Sequence, residues 1–274
     1  MTYRNGKILM WKNKLYGFRR EDGRIGIRNY VAVMAAGDDA NPLARRLAED
    51  VPGVLYLPAS YGCGQLGEDL ELALRTMAGL AGHPNVSGSL IVSFEPEIAY
   101  RISSRVPAGS GKTATLSLLQ AGGFTSARMA GQGILFRLWE EAQAQKRKPF
   151  SIGDLLIGLE CEGSDTPSGM VADPAIDLFS DRLVDAGASA IFSEPLECIE
   201  GKSMGAVSKS GTRPIQGVLA YGERPAGKGL YFMDAPAAAV ENLGPLTITT
   251  VPWAWCAIFI FLQALIAVCR NVGQ

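Results

Sequence analysis

Apolar positions along this chain follow two alternating patterns. Short unbroken apolar runs are separated by longer stretches in which apolar residues return every third or fourth position, so strands alternate with helices. Strands are expected over 30–36, 54–58 and 88–94, and helices over 42–50 and 68–80, the latter carrying Leu70, Leu74, Met77 and Leu80 on one face. A helix is expected over 132–145, followed by the polar stretch Lys146-Arg147-Lys148-Pro149, which reads as a domain boundary. Beyond it the alternation resumes, with strands at 155–159, 190–193 and 229–233 and a helix at 174–186.

Strand–helix alternation of this length implies mostly parallel sheets covered on both faces. The expected fold is therefore α/β, with two α/β domains. The first spans 1–147 and the second 148–243, the second truncated at its C-terminus. From Leu243 to Cys269 there is no Asp, Glu, Lys, Arg or His, so 244–274 forms an atypical apolar tail. About 20 apolar residues are long enough to cross a bilayer. Three threonines, Pro252 and Gln263 weigh against that reading, as does the lack of a basic flank. No internal repeat is visible.

Composition narrows the function classes. Lys and Arg total 26 against 27 Asp and Glu, which leaves no electrostatic footprint for nucleic acid or an anionic membrane. Five irregularly spaced cysteines do not build a secreted disulfide framework, and the first residues lack the apolar core of a signal peptide. Both features point to the cytoplasm. The lone histidine, His83, sits in a His-Pro-Asn turn, so a His-rich metal site is excluded. The stretch 109–113, GSGKT, imitates a phosphate loop but has Val106 where the first glycine should stand.

Three segments carry candidate chemistry. In YGFRREDGRIGIRN (16–29), arginines and an asparagine bracket glycine turns and could fork onto a carboxylate; a solvated hairpin is the plain alternative. In YGCGQLGED (61–69), Cys63 occupies a glycine-rich turn between strand and helix, where a thiolate could bind iron or zinc; a small packed thiol is the plain alternative. GLECEGSDTPSG (158–169) gathers a thiol, three carboxylates and hydroxyls just after a strand, too polar for a core. Glu194 and Glu197 follow the next strand and could reach the same sheet edge.

Taken with AGHPN (81–85) and KSMGAVSKSG (202–211), these motifs resemble the altronate/galactarate dehydratase family in order and approximate spacing, over roughly 15–243. The resemblance implies a carbon–oxygen lyase (hydro-lyase) that removes water from a sugar acid by metal-assisted β-elimination. A related reading is the large subunit of a sulfolactate sulfo-lyase. A third is an inactive paralogue or remnant. It also implies a divalent metal, iron first and manganese or magnesium next, and a sugar-acid or 2-hydroxy-acid substrate. A small partner subunit would supply the family's N-terminal domain, and self-association is compatible with all three readings. By the same resemblance, Arg28, Asn29 and Gln65 bind substrate; Cys63, Glu97 and Asp39 form the metal region; Cys161, Ser164 and Asp165 handle protons or substrate. The sequence also departs from the family. Asp39 replaces a thiol, Ala59 a histidine, and Glu95-Pro96-Glu97 a Gly-Cys-Glu, so soft ligands give way to carboxylates suited to harder cations.

Overall fold

The computed structural model describes residues 3–4, 7–8, 15–60, 64–159, 173–193 and 214–234. The chain divides into two compact units, Met1–Ser151 and Ile152–Gln274.

The first unit opens with a two-stranded hairpin, β1 (Tyr3–Arg4) and β2 (Lys7–Ile8). Its centre is a four-stranded sheet of β5 (Tyr30–Ala35), β6 (Val54–Leu57), β7 (Val86–Ser93) and β8 (Lys112–Ser117). The strands run in the order β6-β5-β7-β8, and every pairing is parallel. β7 is buried along its whole length and β5 beyond Tyr30, as expected of central strands covered on both faces. Helices α1 (Asn41–Asp50) and α4 (Phe124–Ala144) cover one face, packing Leu43, Leu47, Leu135 and Leu138 against Val31, Val33, Leu90 and Val92. Helices α2 (Gly67–Ala81) and α3 (Pro96–Ser103) cover the other, where Leu74, Ala78 and Ile102 meet Met34 and Ile91. Fully burying a side chain of this size stabilises the fold by about 1.5–3 kcal/mol.

A second sheet of three antiparallel strands joins β3 (Leu15–Arg19), β4 (Ile25–Gly26) and β9 (Lys148–Phe150), in the order β4-β3-β9. It lies outside the alternating pattern because β4 and β9 are too short to carry a period. The 146–149 stretch therefore does not behave as an open linker: Lys148 and Pro149 pair with Gly17 and Tyr16.

Among its described residues, the second unit holds β10 (Leu156–Leu159), helix α5 (Asp173–Asp185), β11 (Ser189–Phe192), β12 (Ile215–Leu219) and β13 (Gly229–Met233). Its strand order is β10-β11-β13-β12, again all parallel. Leu159, Ala190 and Leu230 pack on one side with Leu183 of α5, and Ile191, Tyr231 and Met233 on the other with Leu219. The expected α/β class with parallel sheets is thus what the chain adopts. Among the described residues, no helix is long and apolar enough to cross a membrane; the apolar tail lies outside them.

Sequence periodicity missed β8, β12 and α3, and it started α4 too late. β8 is Lys-Thr-Ala-Thr-Leu-Ser, with one large apolar residue, and β12 contains Gln216 and Gly217. The glycines 131 and 133 break the apolar rhythm of α4. Gly131 nonetheless lets α4 sit close on α1, because a Cβ there would stand 2.7 Å from Leu47 Cδ1, which would have to shift.

One ion pair crosses between helices on the α1/α4 face. Arg128 Nε and Nη2 donate to the two Asp50 carboxylate oxygens at 2.5 and 2.7 Å, and Gln132 Nε2 adds a third bond at 2.9 Å. These bonds, the Arg128 fork first, hold the Asp50 carboxyl below the usual carboxylate range. The folded chain thus gives up this proton more readily than the unfolded chain. The pair's contribution is complete above the ordinary carboxylate range and is lost as pH falls through the lowered Asp50 pKa. Arg128→Gln should therefore be least stable relative to wild type at neutral pH, and the two should converge in acid; urea melts over a pH series check this.

Candidate functional site

Parallel α/β sheets gather their chemistry where the chain leaves the strands, at the carboxyl edge, and above all where the strand order reverses. In the first unit the chain runs from β5 outward to β6 and then crosses back to β7 on the other side. The reversal point lies between β5 and β7. After β5 come Gly37, Asp38 and Asp39, the aspartates in a 3-10 turn running into α1. After β7 come Glu95, Pro96 and Glu97 at the start of α3.

Hydrogen bonds fix the backbone of this edge. Ala36 N–H donates to Val92 O at 2.7 Å, Ser93 Oγ to Glu95 O at 2.5 Å, and Ser117 Oγ to Phe94 O at 2.8 Å. On the β6 side, Asn41 holds the outgoing chain. Its Nδ2 donates to Ala59 O, while its Oδ1 accepts from Ala59 N–H and the Tyr56 hydroxyl, all at 2.8–3.0 Å. Ala59 is partly buried against the core.

Asp39 and Glu97 therefore stand at the ends of neighbouring strands, and both are exposed. Gln65 is half-buried just before α2, on the β6 side of the same edge. Cys63, the third member of the expected metal region, lies outside the described residues. Carboxylates at this edge also complement the positive ends of the helix dipoles, so their placement has an architectural reason of its own. Among the described residues, no three His, Cys, Asp or Glu side chains come close enough together to hold a metal ion.

Arg28 and Asn29 lie elsewhere. They precede Tyr30 at the amino end of β5, the length of the strand, about 20 Å, from its carboxyl end. The structure does not bring them to Asp39 and Glu97. Asn29 is committed to the fold, its Nδ2 donating to Ala142 O and its Oδ1 accepting from Arg20, each at 2.8 Å. Arg28 is half-buried, its backbone N–H donating to Asn85 Oδ1 at 3.1 Å and its guanidinium to Ile27 O at 3.2 Å.

The centre of this region is a residue that sequence reasoning did not single out. Arg20 is 6% exposed and donates three ways: Nε to Pro84 O, Nη1 to Gln145 Oε1 and Nη2 to Asn29 Oδ1, at 2.8–2.9 Å. No carboxylate touches it in these bonds. Burial pulls its guanidinium down to about 10, with Asp22 pulling the other way and Arg24 adding to the fall. Arg20 therefore stays charged at neutral pH, held by amide and carbonyl oxygens.

Neighbouring groups act alike. Arg24 Nη2 donates to Gly82 O, the C-cap of α2, and to Ser110 Oγ, both at 2.8 Å, while its Nε pairs with Asp22. Asn85, fully buried, accepts from Ile27 and Arg28 N–H through Oδ1, and its own N–H donates to His83 Nδ1 at 3.0 Å. His83 is thus a buried turn residue, as its Pro-Asn context suggested. Most of the polar groups of the 16–29 motif are consumed by the fold. Only a run of glycines and arginines was visible in the sequence, and the same run would suit a carboxylate.

In the second unit, β10, β11, β12 and β13 all leave the sheet at one edge, at Leu159, Phe192, Leu219 and Met233. Cys161, Ser164 and Asp165 follow β10, and Glu194 and Glu197 follow β11; all five lie outside the described residues. The described part of that edge is polar. Ser193 is buried, Glu223 Oε2 accepts from Ala220 N–H at 2.8 Å, and Asp234 N–H donates to Leu219 O.

Both parallel sheets coincide with matches to known domains. The second-domain model of D-galactarate dehydratase/altronate hydrolase matches residues 17–143, and the D-galactarate/altronate dehydratase C-terminal model matches 152–201 and 195–250. The chain belongs to this family. Among its curated members, the (2R)-sulfolactate sulfo-lyase subunit beta of Chromohalobacter salexigens is 27% identical over 82% of this chain and 72% of its own length. The altronate dehydratases of Bacillus subtilis and Escherichia coli are 26% and 25% identical over 80% of this chain. The chain spans 57% of the length of each altronate dehydratase. At the level of the family, the chain is lyase-like.

The Arg20 arrangement can be tested directly. Arg20→Ala leaves Pro84 O, Asn29 and Gln145 without their donor and should cost roughly 3 kcal/mol in urea unfolding. Arg20→Lys keeps the charge but not the three-way fork, and should recover less than half of that loss.

Proposed function

We propose that the chain is a large-subunit-type lyase that eliminates a β-substituent from a small 2-hydroxy acid, with sulfolactate the first substrate to try. The observation that carries this reading is the match of both family domains across the two parallel sheets. The sulfo-lyase subunit is put before the sugar-acid dehydratases because its similarity is the higher, 27% identity over 82% of this chain against 26% and 25% over 80% for the altronate enzymes. An altronate- or galactarate-type dehydration is the second substrate reading.

The chemistry is common to both. A base takes the proton from the carbon bearing the substrate carboxylate, and the electron pair forms a double bond to the next carbon. The leaving group departs as sulfite in one case and as water in the other. The resulting enol becomes a 2-keto acid. In this proposal Ser164, Asp165 and Cys161 handle the proton or the substrate at the second sheet's edge, and Gln65 contacts substrate at the first.

A divalent metal is part of the reading, with iron first and manganese or magnesium after it. Asp39 and Glu97 are hard donors at one sheet edge, which suits such ions, but two exposed carboxylates do not complete a site, and Cys63 would have to join them. A metal bound there would act as a Lewis acid toward the developing enolate. A small second subunit and a cytoplasmic setting belong to the same reading. The competing reading is an inactive paralogue, which the alanine at position 59 favours.

The purified chain, with ferrous or manganous ion added, should release sulfite and pyruvate from sulfolactate in equal amounts. Cys63→Ser or Glu97→Gln should lower that rate by about 10- to 100-fold. Turnover of altronate or galactarate but not sulfolactate would move the chain to the dehydratase reading. No turnover of any of the three acids, together with no tightly held metal, would establish the inactive reading.

A further inference from the structure

Helix α4 carries two faces. Its inner face packs Ala127, Leu135, Leu138 and Ala142 into the core of the first unit. On the outer face Ser126, Met129, Gly133, Phe136, Glu140 and Gln143 recur in steps of three and four, and all six are exposed. Residues spaced in this way fall in one line along a helix, as they do at the seam between two packed helices. The middle of the line is apolar, with Met129 70% and Phe136 48% exposed.

The two glycines of α4 have different explanations. At Gly131 a Cβ would meet Leu47 of α1 at 2.7 Å, so packing within the chain accounts for it. At Gly133 a Cβ would meet nothing within 4 Å. Glycine in a helix interior is less stable than nearly every other residue there, and no neighbour in this chain requires it at 133. What Gly133 provides is a gap in the exposed line between Met129 and Phe136, widened by the small side chain of Ala130, which is also exposed.

We infer that this face is where a second copy of the chain docks, α4 against α4 in antiparallel sense about a two-fold axis beside Gly133. A two-fold contact presents one patch twice, so the patch must complement itself. This one does. With the helices antiparallel, the Phe136 ring of each copy fills the gap over Gly133 and Ala130 of the other, and the missing side chain lets the two backbones approach. Glu140 of each copy comes over the amino-terminal half of the other α4. The first turn there holds no acidic residue and Gly123 supplies no side-chain cap, so negative charge meets the positive end of the helix dipole. The 21 residues of α4 give a seam about 31 Å long and roughly 10 Å wide, or about 300 Å² per copy. A standard stable interface buries about 800 Å² per partner, so this dimer is weak and reversible, with a dissociation constant of about 10–100 µM. The contact uses residues of the first unit alone and does not depend on the activity proposed above.

Sedimentation velocity of the full chain over a concentration series should show a monomer that converts reversibly to a dimer across that range. Gly133→Gln separates the contact from the fold, because its two effects have opposite sign. Glutamine is the better helix former and has open space in the single chain, so the thermal midpoint of the dilute protein should rise by about 1–3 °C. The added bulk closes the gap, so dimerisation should weaken at least about tenfold. Phe136→Gln should weaken it to a similar degree while leaving the midpoint within about 2 °C of wild type. A chain that stays monomeric throughout, a dimer that survives both substitutions, or a midpoint that falls in Gly133→Gln would overturn the inference.

Discussion

A buried guanidinium whose three described hydrogen bonds all go to neutral oxygens is expensive to desolvate, and three stretches of the first unit meet around it. Arg20 is surrounded by oxygens from three separate stretches: the Pro84 carbonyl in the turn before β7, the Asn29 amide before β5, and the Gln145 amide at the end of α4. Each of those segments accepts a hydrogen bond from this one side chain. Losing the charge strands all three, which is why a planar five-donor group occupies the position and a lysine would not substitute for it. Through these bonds the end of β3 is tied to the turns that lead into β5 and β7 and to the end of α4.

The same logic sorts charge along the sheet. In a parallel α/β unit every helix ends at the amino edge of the strands and starts at the carboxyl edge. Helix ends leave carbonyls without partners and carry partial negative charge, and here Arg24 takes the Gly82 carbonyl after α2 while Asn29 takes the Ala142 carbonyl in α4. Helix starts favour carboxylates, and Asp38, Asp39, Glu68, Asp69 and Glu97 gather there. An arginine-rich amino edge and an acidic carboxyl edge therefore need no ligand to explain them. What the carboxyl edge adds is accessibility: Asp39 and Glu97 are exposed just beyond the ends of adjacent strands, where the strand order reverses.

Fold class was readable from the chain because burial on both faces leaves a direct trace. β5 and β7 are unbroken apolar runs, and α2 repeats its apolar residues at helical spacing; neither depends on distant partners. β8, β12 and β9 left no such trace, since an edge strand of Thr, Lys, Gln or Pro is made a strand by the neighbour it pairs with. Site residues divided the same way. Asp39, Gln65 and Glu97 are marked in the sequence by the family resemblance, and in the structure they follow β5, precede α2 and open α3. Arg28 and Asn29 come from a motif whose chemistry suits a carboxylate ligand and a helix C-terminus equally well.

By itself, then, the sequence determined the α/β alternation, the motifs that mark the family, and the strand ends where polar loops emerge. All of these rest on interactions between residues close in the chain or on solvent exclusion that any neighbour would provide. Only the tertiary structure decided which arginine is buried, which carbonyls it serves, and that a charged run of apparent linker is a paired strand. Those outcomes depend on hydrogen bonds between residues 9 to 131 positions apart, and local composition carries no record of such partners.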